Sequence, residues 1–239
     1  MMEKIQIVTP VYNEEKNIYT TIENFFKEYE NNKFEISFII SEDGSTDNSI
    51  DIINKLKEIY DIKLLSSPQR KNYTDAVLIG LREANSKIIS FVDSDGQYDP
   101  KDLKRLYDNL EPGKIVIGYR HPRVDNIFRL FISGSFKKLY EILLKIKLKD
   151  PSCGYFIAYR EDIQLIINED VAGLIKEGFW WEFYAWCKKR NLDIVEIPIK
   201  HFNRKYDNTV VFQFKKIPGI AYRNVIGLFK LKNLLKKTQ

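Results

Sequence analysis

Apolar and polar residues follow two different periods along the first half of the chain. Five short runs are almost entirely apolar and rich in β-branched residues, which is typical of strands buried on both faces. Between them, apolar residues recur every three to four positions, as in amphipathic helices. The pattern predicts strands at 4–11, 34–41, 62–67, 87–93 and 114–120, and helices at 15–31, 45–60 (capped by Ser45 or Thr46), 73–85 and 100–110.

This alternation of strand and helix predicts an α/β fold, in which a mainly parallel central sheet carries helices on both faces. Ligands of such sheets bind beyond the carboxyl ends of the strands. Three of the first four predicted strands end in the polar, acid-bearing sequences TPVYNEE, SEDGSTD and VDSDGQYD. Because these ends share one edge of a parallel sheet, the sequence predicts a binding site there.

The second half of the chain is less regular. It contains a basic amphipathic helix, a turn with a short strand, an aromatic helix and an alternating strand, in that order. The tail reads as one or two basic amphipathic helices with a break at Pro218 and Gly219. These elements are predicted at 134–150, 150–162, 174–191 and 193–204, and the predicted division is a main domain over 1–211 and a helical segment over 212–239.

Charge narrows the class of partner. The 239 residues include 38 lysines and arginines against 33 acids, a net charge of +5, and much of the excess lies in 134–150 and 229–239. Basic patches suit phosphates or lipid head groups, although each can also be a solvated helix face. They are not organised around a nucleic-acid reading motif, so we expect no nucleic-acid partner.

The spacing of the cysteines and the length of the apolar runs indicate where in the cell the protein is expected. Cys153 and Cys187 lack CxxC spacing, so they give no zinc or redox signature and fit a reducing cytoplasm. The N-terminus does not have the pattern of a signal peptide, and no stretch reaches the roughly 18 apolar residues of a membrane span. We therefore expect a cytoplasmic protein that lies on the cytoplasmic face of a membrane, contacting it through the basic tail.

The sequence VDSDG places Asp93 and Asp95 two positions apart at a predicted strand end. On an extended segment their side chains point to the same side and can share a divalent cation, whereas an Asp-rich turn without a ligand is the alternative. Oxygen ligands without nearby His or Cys favour Mg²⁺ or Mn²⁺ over zinc. Asp43 in SEDGSTD is either an acceptor for a nucleobase or ribose, or part of an ordinary capped loop.

The first half resembles the family-two glycosyltransferases, which use nucleotide-diphosphate sugars and have the GT-A fold. The matching sequences are VTPVYNEEKNI, EDGSTDNS, DAVLIGLREANSKIISFVDSDGQYDP and IGYR, in the family's order and spacing. The resemblance implies that 1–211 is a Rossmann-like GT-A catalytic domain, and that the enzyme inverts the anomeric centre of the transferred sugar.

The second half is similar to the polyprenyl-phosphate sugar synthases, the dolichol-phosphate mannose synthase type. DPSCGYFIAYR matches one of their segments, with Cys153 in place of a Ser or Thr, and FWWEFYAWCKKRNLDIVEIPIKHFNRKYDNT matches a later one but lacks its glycine. RKNYTD stands where the family has a glycine-rich turn. The resemblance implies a GDP- or UDP-sugar donor and a polyprenyl phosphate acceptor.

The same resemblance implies roles for individual residues. Asp93, Asp95 and Gln97 would hold Mg²⁺ or Mn²⁺ against the diphosphate, which makes Asp95 catalytic. The residues implied around the nucleotide are Pro10, Val11, Tyr12, Glu14, Asp43, Asp75, Asp93 and Ser94. The arginines implied at donor or acceptor phosphates are Arg120, Arg129 and Arg204, with Arg120 and Arg204 also catalytic, and a surface ion pair is the alternative for each.

The need for a general base depends on the acceptor. A polyprenyl phosphate is already an anion, whereas an alcohol needs a carboxylate within hydrogen-bond reach. Asp150 and Glu182 are the catalytic candidates if a base is needed, and structural carboxylates are the alternative. The aromatic neighbours of Glu182 would raise its pKa.

Two rival functions stay open at this level. In the first, the same chemistry extends a glycan in polysaccharide or glycoprotein synthesis, and Trp180, Trp181 and Trp186 stack sugars in a cleft. In the second, the chain is a non-catalytic scaffold that binds nucleotide sugars, which the intact Asp93 and Asp95 disfavour.

Overall fold

The computed structural model describes residues 3–123, 127–175, 177–203 and 217–237. Strands and helices alternate along the chain as the hydrophobic pattern predicts. The strands are β1 (Glu3–Val11), β2 (Phe34–Asp43), β3 (Ile62–Ser67), β4 (Ile88–Phe91), β5 (Lys114–Arg120), β6 (Phe156–Tyr159) and β7 (Asp193–Ile199). The helices are α1 (Ile18–Tyr29), α2 (Ser49–Lys57), α3 (Tyr73–Glu83), α4 (Asp102–Tyr107), α5 (Ile127–Leu144), α6 (Arg160–Leu165), a π-helical turn (Ile166–Asp170), α7 (Phe179–Lys189) and α8 (Ile217–Lys237).

The strands form one sheet in the order β3-β2-β1-β4-β6-β5-β7. All neighbours are parallel except β6, which is antiparallel to both β4 and β5. Because β6 runs the other way, the turn that leads into it emerges at the same edge as the loop that leaves β4. The reversed strand therefore brings the DPSCG turn beside the VDSDG loop.

Two apolar clusters cover the two faces of the sheet. Ile88 and Ile89, which are neighbours on β4, are both buried and belong to opposite clusters, as the alternation of side chains along a strand requires. Apolar residues of α1, α2 and α4 pack on one face, and those of α3, α5, α7 and α8 pack on the other. The central strands are thus buried on both sides, which fixes the loops at their ends.

Three local sequence-based expectations are wrong. Helix α5 ends at Leu144, before the predicted limit, because Lys145 has a left-handed φ of 60°. Helix α2 begins at Ser49, after the predicted cap; the Ser45 hydroxyl accepts instead from the Asn13 amide, at 3.0 Å. Pro218 does not interrupt the tail, since it lies in the first turn of α8, where a proline costs no helical hydrogen bond.

The C-terminal helix packs against the sheet domain through one of its faces. Leu228 and Leu231 are fully buried in the same cluster as α7, whereas Tyr222, Ile226 and Phe229 are exposed on its outer surface. The predicted boundary between 1–211 and 212–239 lies outside the described residues. Within the described ranges, no helix combines the length and apolar character needed to cross a membrane.

Candidate active site

The loops after β1 and β2 are joined by a network of hydrogen bonds. The Asn13 side chain accepts from the backbone amide of Thr46 at 2.7 Å, and the Asp47 carboxylate accepts from the amide of Glu15 at 3.1 Å. Glu14, which was expected near the nucleotide, accepts at 2.7 Å from the Asn17 side-chain amide just before α1. The network fixes the two loops relative to each other before any ligand binds.

The expected nucleotide-base residues lie together at the carboxyl ends of β1 and β2. Pro10 and Val11 are buried residues of β1, and Tyr12 follows them with its ring half-buried. The Arg70 guanidinium carbon lies 3.7 Å from the centroid of the Tyr12 ring, a cation–π contact. One face of Tyr12 is therefore covered by Arg70.

Asp43 is the acidic residue of this group. It is 4% exposed, and one carboxylate oxygen accepts from the Lys71 amide at 2.8 Å. Burial raises the pKa of Asp43, although the Lys71 hydrogen bond and the Arg70 charge oppose that effect. A buried acceptor beside an aromatic ring and a guanidinium has the chemistry to bind a nucleobase edge.

Asp75 takes part in capping helix α3. Its backbone amide donates to the Asn72 side chain at 3.0 Å, and its carboxylate accepts from the Asn72 amide group at 2.7 Å. This reciprocal arrangement resembles a capping box and satisfies donors of the first turn. The sequence RKNYTD thus begins a helix here without the glycine-rich turn of the wider family.

The VDSDG loop leaves the centre of the sheet after β4. Asp93 accepts hydrogen bonds on both oxygens, from the Tyr73 hydroxyl at 2.8 Å and from the Tyr98 hydroxyl at 3.5 Å. Asp95 accepts from the Gln97 backbone amide at 3.2 Å. Ser94 between them is buried, and its carbonyl accepts from the Thr21 hydroxyl at 3.1 Å. The backbone of the loop is therefore anchored where the two carboxylates project.

The donor set of this loop fits Mg²⁺ or Mn²⁺. Asp93 and Asp95 are half-buried and offer hard carboxylate oxygens. Across the described part of the chain, no group of three or more His, Cys, Asp or Glu side chains is arranged to hold a metal. Magnesium characteristically binds through one or two carboxylates and completes its shell with water and substrate phosphates, and Asp93 and Asp95 offer such a pair.

Gln97 is tied to the segment after β7. Its side-chain amide donates to the Phe202 carbonyl at 2.9 Å, and the Phe202 amide donates back to the Gln97 carbonyl at 2.9 Å. These bonds hold the amide nitrogen toward Phe202 and leave the amide oxygen as the atom available to a cation.

Arg120 and Asp150 form a buried ion pair. Arg120 Nε donates to Asp150 Oδ2 at 2.6 Å and Nη2 donates to Oδ1 at 2.9 Å, while Nη2 also donates to Ser152 at 2.6 Å. Burial alone would raise the pKa of Asp150, but the bonds and charge of Arg120 outweigh it and hold that pKa well below its usual range. Arg120 is 8% exposed and donates to Asp150 and Ser152, and its expected role at phosphates stays a prediction.

A basic cavity lies beside this ion pair, and Asp150 forms part of its wall. Three cationic side chains line it, together with the Asp150–Ser152 turn. They are Arg123, Lys137 and Lys149; none was singled out from the sequence, where the basic character of 134–150 was the signal for the two lysines. The lining residues are Arg123, Leu130, Ser133, Gly134, Lys137, Lys149, Asp150, Pro151, Ser152 and Trp181.

The cavity is linked to the VDSDG loop by the DPSCG turn. The Tyr98 hydroxyl, which reaches Asp93, also lies 3.7 Å from the Cys153 sulfur. Cys153 directly follows Ser152, a residue of the cavity wall. Burial raises the pKa of the Cys153 thiol to about 12, so the thiol is neutral and inert at this junction.

Glu182 has the surroundings of a structural carboxylate, the alternative to a general base. It is 0% exposed, and its two oxygens accept from the backbone amides of Ala172, Leu174 and Ile175 at 2.9, 2.6 and 3.1 Å. Burial raises the pKa of Glu182, as predicted, while these amides oppose the shift. The carboxylate anchors the loop that precedes α7.

The three tryptophans of α7 do not together form an open sugar-stacking cleft, which corrects the expectation for a glycan acceptor; of the three, Trp181 forms part of the wall of the basic cavity. Trp180, Trp181 and Trp186 are 5%, 6% and 1% exposed. The helix buries nine consecutive residues, including Glu182, so its aromatic composition reflects packing on the sheet. Of the expected phosphate-binding arginines, the Arg129 side chain and all of Arg204 lie outside the described residues.

Comparisons with known proteins agree on one family. The model of the family described as Glycosyl transferase family 2 matches residues 6–166. An undecaprenyl-phosphate 4-deoxy-4-formamido-L-arabinose transferase of Proteus mirabilis is 30% identical over 92% of this chain and 66% of its own length. A dolichol-phosphate mannosyltransferase of Pyrococcus furiosus is 27% identical over 82% of this chain and 55% of its own. The chain thus spans less than two thirds of the length of each of these relatives.

Solved structures confirm the GT-A fold. A crystal structure of glucosyl-3-phosphoglycerate synthase from Mycobacterium tuberculosis, in complex with Mn²⁺, UDP and phosphoglyceric acid, has a TM-score of 0.70. It is 18% identical and aligns with 96% of this chain and 78% of its own. Another structure of that enzyme, with Mg²⁺ and UDP, has a TM-score of 0.68 at 17% identity, with 97% of this chain and 80% of its own aligned.

Proposed function

Because the chain belongs to glycosyltransferase family 2, we propose that it transfers a sugar, with inversion, from a nucleotide-diphosphate sugar to a polyprenyl phosphate at a membrane surface. The observation that carries the choice of acceptor is the basic cavity beside Asp150, next to two candidate bases that are both engaged elsewhere. Both relatives described above are named for transfer to a polyprenyl or dolichol phosphate, which supports the same class of acceptor.

The donor occupies the edge formed by β1, β2 and β4. Asp43 accepts hydrogen bonds from the base, whether uracil or guanine, and Tyr12 and Arg70 flank the base or ribose. Glu14, Asp75 and the loops around them complete the surroundings of the nucleotide through their anchored backbone. The donor of this proposal is a GDP- or UDP-sugar.

Asp93 and Asp95, with Gln97 as a further candidate, would hold Mg²⁺ or Mn²⁺ at the diphosphate. A cation bound there neutralises the charge of the departing nucleoside diphosphate. The anchored loop contributes by presenting two carboxylates in a fixed arrangement, because the contacts of Ser94 and Gln97 hold its backbone.

The acceptor phosphate occupies the basic cavity. Lys137 and Lys149 contribute ammonium groups, and Arg123 contributes a guanidinium whose side chain is 22% exposed and lies 3.6 Å from Asp150. A phosphate oxygen is already deprotonated and attacks without a general base. Such an acceptor needs no carboxylate base. This agrees with a site in which Asp150 is ion-paired with Arg120 and Glu182 accepts from backbone amides.

The membrane contact is placed on the outer face of α8. Tyr222, Ile226 and Phe229 are 69%, 36% and 48% exposed at helical spacing, and α8 contains no acidic residue. Apolar side chains among lysines suit the interface of an anionic membrane. In this proposal the enzyme acts as a peripheral protein at the cytoplasmic face.

Donor turnover tests the proposal. The protein is incubated with a panel of UDP- and GDP-sugars and Mn²⁺ or Mg²⁺, with and without a short-chain polyprenyl phosphate, beside Asp95→Ala. Transfer to the lipid that requires metal and is lost in the variant is expected. Transfer to a soluble oligosaccharide instead would favour glycan extension, and donor binding without any product would favour the non-catalytic scaffold.

A cavity variant tests the acceptor subsite separately. Lys137→Ala is expected to raise the KM for polyprenyl phosphate at least about fivefold, since it removes a charge from a phosphate contact, and to leave the KM for the donor unchanged. Lys57→Ala, an exposed lysine of α2, serves as the matched control. Equal acceptor KM values in the two variants would place the acceptor elsewhere.

A further inference from the structure

We infer that Tyr73, held in turn by Trp180, is a positioning residue that fixes the carboxylate of Asp93 for the divalent cation. This inference rests on the proposed function of the VDSDG loop. It adds two aromatic residues to the metal site, one from the start of α3 and one from α7; Tyr73 was not singled out from the sequence, and Trp180 was expected only to stack sugars.

The carboxylate of Asp93 is held by hydroxyl groups on both sides. Tyr73 donates to Oδ1 at 2.8 Å, and Tyr98 lies at 3.5 Å from Oδ2, the outer limit of a hydrogen bond. Tyr73 therefore makes the stronger of the two contacts. A carboxylate has about four lone-pair positions, so these bonds leave capacity for a cation.

Tyr73 is itself oriented by a second hydrogen bond. Trp180 Nε1 donates to the Tyr73 oxygen at 3.0 Å. Because the tyrosine oxygen accepts from the indole, its own proton is directed to Asp93, and the chain Trp180–Tyr73–Asp93 has one consistent donor direction. Residues 107 positions apart in sequence are joined in this way.

Trp180 is a rigid support for this chain. Its ring is 5% exposed and lies 4.5 Å from the Phe91 ring and 4.8 Å from the Phe179 ring, centroid to centroid. A Cβ on Gly154 would lie 2.7 Å from Nε1, so the glycine of the DPSCG turn is what lets the indole approach. The donor to Tyr73 therefore has little freedom to move.

The position of Tyr73 explains one departure of this chain from its family. Tyr73 is the first residue of α3, in the sequence RKNYTD that replaces a glycine-rich turn. The Asn72–Asp75 cap fixes the start of the helix, and Tyr73 then reaches across to Asp93. Hydrogen-bonded partners of metal-binding side chains orient those side chains, and their loss typically reduces metal affinity 10–100-fold.

The test compares Tyr73→Phe with Tyr19→Phe. Tyr19 is the control, because it also donates to a carboxylate, that of Glu23 at 3.1 Å on helix α1, which is not part of the VDSDG loop. Mn²⁺ affinity is measured by electron paramagnetic resonance in the presence of UDP or GDP, whichever binds the wild type. Nucleotide affinity is measured in EDTA, and stability by urea unfolding.

The expected result is an approximately tenfold or greater loss of Mn²⁺ affinity in Tyr73→Phe alone, with unchanged nucleotide affinity in EDTA. The variant is expected to unfold cooperatively but at somewhat lower urea, because Trp180 Nε1 loses its acceptor. Trp180→Phe is expected to lose a smaller factor, and wild-type affinity in that variant would remove Trp180 from the inference. Wild-type Mn²⁺ affinity in Tyr73→Phe would overturn it. If the wild type binds nucleotide but does not bind Mn²⁺, the proposed metal site is overturned as well. If the wild type binds no nucleotide, the proposed function is overturned.

Discussion

Removing the charge of Asp150 is expected to destabilise the protein far more than removing the charge of a comparable surface acid. Asp150→Asn keeps the shape of the side chain but deprives Arg120 of its counter-charge. The pair is bidentate, at 2.6 and 2.9 Å, and its side chains are only 3% and 7% exposed. Leaving one partner of a buried pair uncompensated typically costs about 3–5 kcal/mol, so we expect the free energy of unfolding to fall by that amount.

The matched control is Asp61→Asn. Asp61 accepts from Lys4 at the same distance, 2.6 Å, but the two side chains are 61% and 42% exposed. Solvent screens such a pair, and its loss typically costs at most about 1 kcal/mol. The two substitutions make the same chemical change at the same distance, so the difference between them isolates the effect of burial.

The pH dependence supplies an independent check. The pKa of folded Asp150 lies below that of an unfolded aspartate, which is about 3.9, so its ionisation stabilises the protein above about pH 4 and this contribution is lost as pH falls further. The difference in unfolding free energy between wild type and Asp150→Asn is therefore expected to be constant from about pH 5 to 8 and to shrink below about pH 4.

Urea unfolding followed by tryptophan fluorescence measures these differences, because all three tryptophans are buried. At about 2–4 °C per kcal/mol for a domain of this size, thermal unfolding should show a Tm decrease of roughly 6–20 °C for Asp150→Asn. A decrease no larger than that of Asp61→Asn would refute the reasoning, since it would mean that Arg120 finds another counter-charge or remains hydrated.

Three further predictions follow from buried groups. Glu182→Gln is expected to destabilise by about 1–3 kcal/mol, because the NH2 group that replaces one carboxylate oxygen cannot accept from the backbone N–H it faces. Hydrogen exchange is expected to speed up at one or more of the amides of Ala172, Leu174 and Ile175; unchanged exchange at all three would contradict the anchoring role. Gly227→Ala would put a Cβ 2.1 Å from the Leu174 carbonyl oxygen and is expected to loosen α8, which limited proteolysis would detect. Gly134→Ala is the control, because a Cβ there meets nothing within 4 Å and is expected to leave α8 protected. Equal cleavage of the two variants would refute this. The buried Cys153 thiol, its pKa raised to about 12, is expected to stay unmodified by iodoacetamide until urea unfolds the chain, as mass spectrometry would show, and rapid native labelling would contradict its burial.

The fold and the donor side of the site were predictable because they depend on local patterns. Apolar runs separated by amphipathic segments specify strands and helices without knowledge of tertiary contacts. The carboxyl ends of parallel strands then meet at one edge, so the acids at 43, 93 and 95 could be assigned to a common region from their positions alone.

The contacts of Arg120, Asp150 and Glu182 could not be predicted from the sequence because they join distant residues. Arg120 and Asp150 are 30 positions apart, and only the adjacency of β5 to the reversed strand β6 brings them together. The aromatic neighbours of Glu182 indicated burial and a raised pKa correctly, but nothing in the sequence indicated that the residues at 172–175 would supply its hydrogen bonds. The hydrophobic pattern of a sequence thus predicts whether a side chain is buried more readily than it predicts which group that side chain bonds to.

Strand β4 lies in the middle of the sheet, between β1 and β6, but β6 is synthesised well after β4. Ser90 bonds to Phe156, 66 residues further along the chain. During synthesis on the ribosome, the apolar edge of Ile88–Phe91 therefore waits for β6 while the intervening chain is translated. An unpaired edge of this kind is a template for association between nascent chains. A fragment that ends before β6 is expected to aggregate rather than persist as a soluble nucleotide-binding half.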